Sequence, residues 1–140
     1  MKNIIITKGL QKDGAYIREE VFMKEQGFEN EFDDIDERAY HTVLYVDGAP
    51  AANGRLFTDD PERKIWTVGR IAVLKEMRKL HLGSDIMQIL EEQCKAVGGE
   101  RIQLSAQCQA QPFYEKCGYC ASGEVYMDEH CPHIHMEKVL

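Results

Sequence analysis

The stretch richest in chemistry runs Arg70-Ile71-Ala72-Val73-Leu74-Lys75-Glu76-Met77-Arg78-Lys79-Leu80-His81-Leu82-Gly83-Ser84. An apolar run passes into a basic turn, and the turn opens a segment of helical periodicity. The first N–H groups of a helix lack intrahelical partners, and its dipole makes that end positive, so such a turn suits an anion. Arg78 and Lys79 add charge, and the small Gly83 lets a diphosphate approach the backbone. The same residues also serve solubility and tight geometry, so the turn alone leaves both readings open. A second set is Cys117-x-x-Cys120 with Cys131, His133 and His135, soft groups of the type that hold Zn2+. Against a metal, His133 and His135 alternate with Ile134 and Met136 as on a half-exposed strand. A redox pair at Cys117 and Cys120 would be expected at a helix start, and here it follows one. Neither centre is expected. His41 opens a strand-like run and titrates in the range of base work, with a structural role as its alternative. Arg55 and Arg70 either bind an acidic substrate group or pair with the chain's many carboxylates, and exposed pairs of that sort contribute little.

These residues need positioning, and hydrophobic periodicity says by what. Ile4 to Thr7 reads as a strand, and residues 12–26 as a helix with one buried face through Ile17 and Val21. Glu29 to Glu37 is acidic and reads as a solvated loop or short turn. His41 to Val46 and Ala51 to Phe57 read as a hairpin about Asp47-Gly48. Lys64 to Leu74 is its antiparallel neighbour. Leu82, Ile86, Ile89, Leu90, Gln93, Cys94 and Val97 then repeat at helical spacing, and Gly98-Gly99 ends that helix. Arg101 to Ser105 returns as a strand, which makes a βαβ unit with parallel pairing. Ala110 to Lys116 is a short helix, and Tyr119 to Met127 and His133 to Lys138 are the last strands. The fold class is a mixed α/β sheet, antiparallel first and parallel in the middle.

The chain of 140 residues carries 44% apolar and 29% charged residues, which suits a single domain over 1–140 with its own core. A net charge of −7 argues against nucleic acid as a partner. No apolar run approaches a membrane span, and the five cysteines read as free thiols. A cytoplasmic protein is expected, with neither membrane nor nucleic-acid partners.

The basic turn resembles the acetyl-CoA signature of the GNAT superfamily, Arg/Gln-x-x-Gly-x-Gly/Ala after a strand. Arg78, His81 and Gly83 take its three positions, with His81 in place of a Gly that normally serves a positive φ or a tight contact; a histidine there could also start the helix at ordinary φ with its ring outward. Gln107-Cys108-Gln109-Ala110-Gln111-Pro112-Phe113-Tyr114-Glu115-Lys116-Cys117-Gly118-Tyr119 resembles the family's Asn-x-x-Ala-x-x-Phe/Leu-Tyr-Glu-Lys-x-Gly-Phe block, with Gln107 for Asn and Tyr119 for Phe. Val21 to Gln26, the acidic loop, His41 and His133-Ile134-His135-Met136 are similar to the ElaA-like branch.

The resemblance implies a GNAT acyl-CoA N-acyltransferase fold with splayed central strands, and an N-acetyltransferase acting by direct attack of an amine on acetyl-CoA. It implies that Ile71, Ala72 and Val73 contact the pantetheine arm, that Arg78, Lys79, Leu80, His81, Leu82, Gly83 and Ser84 hold the diphosphate, and that Gln107 and Phe113 complete the cofactor site. Tyr114 takes the place of the general acid, and His41 and Glu25 are the candidate bases. Homodimers are frequent in the family. The alternative is a non-catalytic domain that binds acetyl-CoA or a partner.

Overall fold

The computed structural model describes residues 1–140. One sheet orders its seven strands β1-β2-β3-β4-β5-β7-β6. In chain order these are β1 (Lys2–Lys8), β2 (Tyr40–Val46), β3 (Ala49–Phe57), β4 (Ile65–Val73), β5 (Arg101–Gln107), β6 (Cys120–Asp128) and β7 (Cys131–Val139). Strands β1 to β4 pair antiparallel, β4 and β5 pair parallel, and β7 lies antiparallel between β5 and β6. The expected change of sheet type therefore forms. At the β2–β3 hairpin Asp47 and Gly48 both take positive φ, at 50° and 83°. That is the backbone demand of a two-residue turn matching strand twist, and it explains Gly48.

Helix α1 (Lys12–Arg18) does not continue as an α-helix to residue 26 as its periodicity suggests; Glu19–Glu25 is π-helical. The widened turn is visible in the Gln26 N–H, which donates to the Val21 carbonyl at 3.1 Å, five residues back. Such bulges are rare and frequently mark functional sites. Here the bulge leaves Gln26 beside the sheet's split. The remaining helices are α2 (Ile35–Arg38), α3 (Leu82–Ala96) and α4 (Gln111–Lys116), with 3-10 segments at Lys75–Leu80 and Cys108–Ala110.

Two apolar clusters cover the two sheet faces. Val43 and Leu44 are sequence neighbours on β2 and join different clusters, as alternation along a strand requires. The larger packs Leu82, Ile86, Leu90 and Cys94 of α3 over Leu56, Trp66 and Ile102. Each fully buried aliphatic of this kind contributes about 1.5–3 kcal/mol. The helix reaches the sheet through Gly54, where a Cβ would lie 2.8 Å from both Ile86 and Leu90. The smaller cluster holds Ile17, Val21, Phe22, Phe28, Val43 and Ala72.

Residues 29–37 depart from the solvated loop read from their charge. Glu31 and Asp36 are each only 4% exposed. Arg18 at 0% and Arg55 at 4% lie beneath them, so the carboxylates turn inward.

Candidate active site

Strands β4 and β5 pair only through Ile65–Val68 against Arg101–Leu104, and then part. The parting begins at Arg70, whose φ of +55° is a left-handed conformation within a strand. The β3–β4 register shifts nearby, between Asn53 and Arg55, and the Asn53 amide donates to the Arg70 carbonyl at 3.2 Å. Left-handed backbone at a non-glycine residue costs on the order of 1–2 kcal/mol and persists where surrounding contacts over-determine it. Beyond the shift, Ala72 and Val73 stay paired with β3 while their β5-facing edge is free.

A cleft of about 630 Å³ opens at that free edge. Ile71, Ala72 and Val73 form one wall, and Pro112, Phe113 and Tyr114 the other. Arg78, His81, Leu82, Gly83 and Ser84 close one end, where the first N–H groups of α3 lack intrahelical acceptors. His81 sits at φ 58° and ψ 30°, so the positive φ holds and the ordinary φ does not. The turn needs the left-handed conformation, and histidine is among the residues that reach it most often. Gly83 serves for space and not for φ: a Cβ there would come 3.1 Å from the Phe113 ring. Lys79 and Leu80 belong to the exposed 3-10 segment and do not line the cleft.

A second cavity of about 200 Å³ lies on the other side of the split. It shares Gln26, Ile71, Ala110 and Tyr114 with the cleft, so these four stand between the two spaces. Burial pushes the Tyr114 phenol up, which keeps its proton in place at every ordinary pH, and no hydrogen bond engages it. Gln107 lines this second cavity and not the cleft at the free edge of β4. Its amide donates to Gln26 Oε1 at 2.7 Å.

The second cavity is built by long-range polar contacts. Arg18 donates through Nε to Glu31 at 2.8 Å and through both Nη atoms to Asp36 at 2.8 and 3.1 Å. Arg55 holds Asp33 at 2.7 Å and Asp36 at 2.8 Å. Arg70 donates to the Glu31 backbone carbonyl at 3.0 Å and pairs with its carboxylate at 2.9 Å. Three guanidiniums thus face three carboxylates, and Arg70 carries the network to the strained point of β4. Burial works to raise the Asp36 pKa, but hydrogen bonds and charge from Arg18, with Arg55, outweigh it and hold the carboxyl at about 2. Arg55 and Arg70 are therefore pairing residues, Arg55 buried and Arg70 half-buried. Over the cavity, Glu129 accepts the backbone N–H groups of Glu29 and Asn30 at 2.9 and 3.0 Å. The His130 ring lies 4.9 Å from Phe28.

Neither base candidate reaches the cavities. His41 is 0% exposed, and its Nε2 donates to the Asp36 carbonyl at 2.9 Å. Its Nδ1 is sealed in the interior without a partner, and burial pushes its pKa down. Glu25 binds Arg78 through both oxygens at 2.6 Å, and those hydrogen bonds hold its carboxyl below the ordinary range. It positions Arg78, whose Nε also holds the Val73 carbonyl at 3.0 Å. The cysteine–histidine set is dispersed: Cys117 ends α4, Cys120 is exposed on β6, and Cys131 is buried on β7. No group of three or more His, Cys, Asp or Glu side chains is gathered as metal ligands. His133, read from the sequence in that set and in the ElaA-like ending but given no catalytic role, lines the second cavity. The β7–β5 register, which places it opposite Gln107, is the signal that locates it.

A family model described as an acetyltransferase (GNAT) domain matches residues 8–140. A Bacillus subtilis protein named as an uncharacterized N-acetyltransferase, YjcF, is 39% identical over 99% of this chain and 99% of its own. Protein ElaA of Escherichia coli is 26% identical over 76% of this chain and 70% of its own. The crystal structure of an acyl-CoA N-acyltransferase from Pseudomonas aeruginosa superposes with a TM-score of 0.84 at 26% identity, covering 99% of this chain and all of that one (100%).

Proposed function

The chain belongs to the GNAT acetyltransferase family, and from that premise we propose that it transfers the acetyl group of acetyl-CoA to a primary amine by direct attack. The observation that carries the reading is Tyr114 standing in the wall shared by the two cavities, at the split between β4 and β5. The cleft's size is that of a small-molecule site. Its free strand edge offers Ile71, Ala72 and Val73 as hydrogen-bonding partners for an extended arm. The N-terminal amides of α3, from Leu82 to Ser84, suit a diphosphate. Arg78 is tied to Glu25, so it contributes position there more than a free charge.

In the reaction a backbone N–H on the free edge of β4 polarises the thioester carbonyl and receives the developing oxyanion. The amine enters from the second cavity and attacks the carbonyl carbon. Tyr114 donates its proton to the departing sulfur; burial pushes its phenol up, so the proton is present when the substrates bind. We read the whole chain as one domain over residues 1–140. We place it in the cytoplasm, which suits its five free cysteines. No helix is long and apolar enough to cross a membrane.

Calorimetric titration with acetyl-CoA, with desulfo-CoA as control, tests the cofactor site; binding is expected and its absence would sink the reading. Tyr114→Phe is expected to lower turnover by about 100-fold or more with binding nearly intact. Binding without turnover by any amine would favour the non-catalytic alternative.

A further inference from the structure

We propose that His133 is the general base of the second cavity, taking the proton that the acceptor nitrogen must lose. The inference rests on the acetyl-transfer reading above and identifies a residue which that reading leaves open. A neutral imidazole can accept a proton only at the nitrogen that lacks one, and the partner of the other nitrogen decides which that is. His133 Nδ1 lies 2.9 Å from the Cys131 carbonyl. A carbonyl only accepts, so Nδ1 carries the hydrogen and Nε2 carries the lone pair. His133 lines the cavity, and its Nε2 has no protein partner and is not sealed in the interior. The ring is held between Tyr126, stacked at 6.1 Å, and Phe28, edge-on at 6.3 Å. Tautomer, ring plane and access are therefore all set before any substrate arrives.

His41 gives the internal contrast. A carbonyl fixes its tautomer in the same way, yet its bare nitrogen is buried away from both cavities. The charged and titratable groups sharing the cavity with His133 are Glu31, Arg70, Tyr114, Asp128 and Glu129, with Tyr126 stacked on the ring. Burial pushes the Glu31 carboxyl up, but its Oε2 holds both Arg18 and Arg70, and a proton on Glu31 would neutralise the charge that both guanidiniums face. Glu129 spends both oxygens on backbone N–H groups, which hold its carboxyl below the ordinary range. Asp128 is exposed to solvent. His133 accepts a proton at Nε2 and gives up no bond.

The incoming ammonium passes one proton to His133 Nε2, and the freed lone pair forms the C–N bond. The C–S bond breaks, and the sulfur takes the Tyr114 proton. The second nitrogen proton restores Tyr114, and His133 releases its proton to solvent. The net products are amide, free thiol and one proton.

The test uses the full chain with acetyl-CoA and three probe amines: butylamine, spermidine and lysine. His133→Asn keeps a donor toward the Cys131 carbonyl and removes the lone pair at Nε2. With the amine that the native protein turns over best, the variant is expected to lose about 100-fold or more in turnover at pH 7. Its acetyl-CoA affinity should stay within about two-fold, and activity should recover as pH rises toward the pKa of the amine or on adding free imidazole. Turnover equal to native with an unchanged pH profile would overturn the proposal. Nitrogen-15 NMR of the native protein reads the tautomer directly. A proton on Nδ1 supports the assignment, and a proton on Nε2 overturns it. Acetyl-CoA binding with no turnover of any probe overturns the transfer reading and this assignment with it, whereas turnover that His133→Asn leaves unchanged overturns the assignment alone.

Discussion

The two cavities that meet at Tyr114 are built on different principles. The cleft at the free edge of β4 is made of backbone: a free strand edge at Ile71–Val73, a helix start at Leu82–Ser84, and a glycine that leaves room for Phe113. Most of its parts are local in sequence. The second cavity is made of side chains brought from far apart. Arg18, Glu31, Asp36, Arg55 and Arg70 lock the segment after the π-helical turn, and Glu129 reaches it from the β6–β7 turn. A site made of backbone tolerates changes of side chain. A side-chain site can be rebuilt for a different acceptor by exchanging a few residues. Its cost is fragility, since each buried charge depends on its partner.

The largest effect should come from breaking that dependence. Arg18→Met removes a fully buried guanidinium and leaves Glu31 and Asp36 without their main partner. Loss of one member of a buried pair typically costs about 3–5 kcal/mol. Denaturant unfolding should show that loss, and a change under about 1 kcal/mol would mean that water solvates the network. Acid should act on the same network more mildly. Asp36 titrates at about 2 in the folded chain against 3.8 for an ordinary aspartate. A depressed folded pKa gives stability that is present above pH 4 and is lost as pH falls toward 2. The loss should be on the order of 2 kcal/mol, and Asp36→Asn should flatten it. The smallest effect is expected on the other side of Tyr114. Gly83→Val pushes Phe113 into the cleft and should weaken acetyl-CoA about tenfold by titration, leaving acid stability as it is. Weakened affinity together with altered acid stability would mean that the two regions are coupled through the sheet.

Much of this was legible in the sequence where the signal is periodic or local. Alternation and helical spacing located the strands and α3, Asp47-Gly48 marked its hairpin, and the Arg78–Gly83 and Gln107–Tyr119 segments marked the cleft. The turn's demand on His81 was not legible, because a histidine states nothing about φ. The acidic run at 29–37 looked solvated because charge implies water unless a partner is known. Its partners, Arg18, Arg55 and Arg70, come from α1, β3 and β4. His41 and Glu25 had the right chemistry for a base, and composition could not say that one is sealed and the other paired.

The sequence by itself determined the order of elements, the mixed sheet and the family, because these follow from short-range pattern and short motifs. Only the tertiary structure decided which ionisable groups line the two cavities. A side chain's chemistry is set by its solvation and by the partner it meets, and both are fixed by strand register and by contacts between segments distant in the chain. His41 and His133 carry the same ring, each with one nitrogen bound to a carbonyl. One has its free nitrogen walled in and the other has it open to a cavity, and that difference lies in the fold.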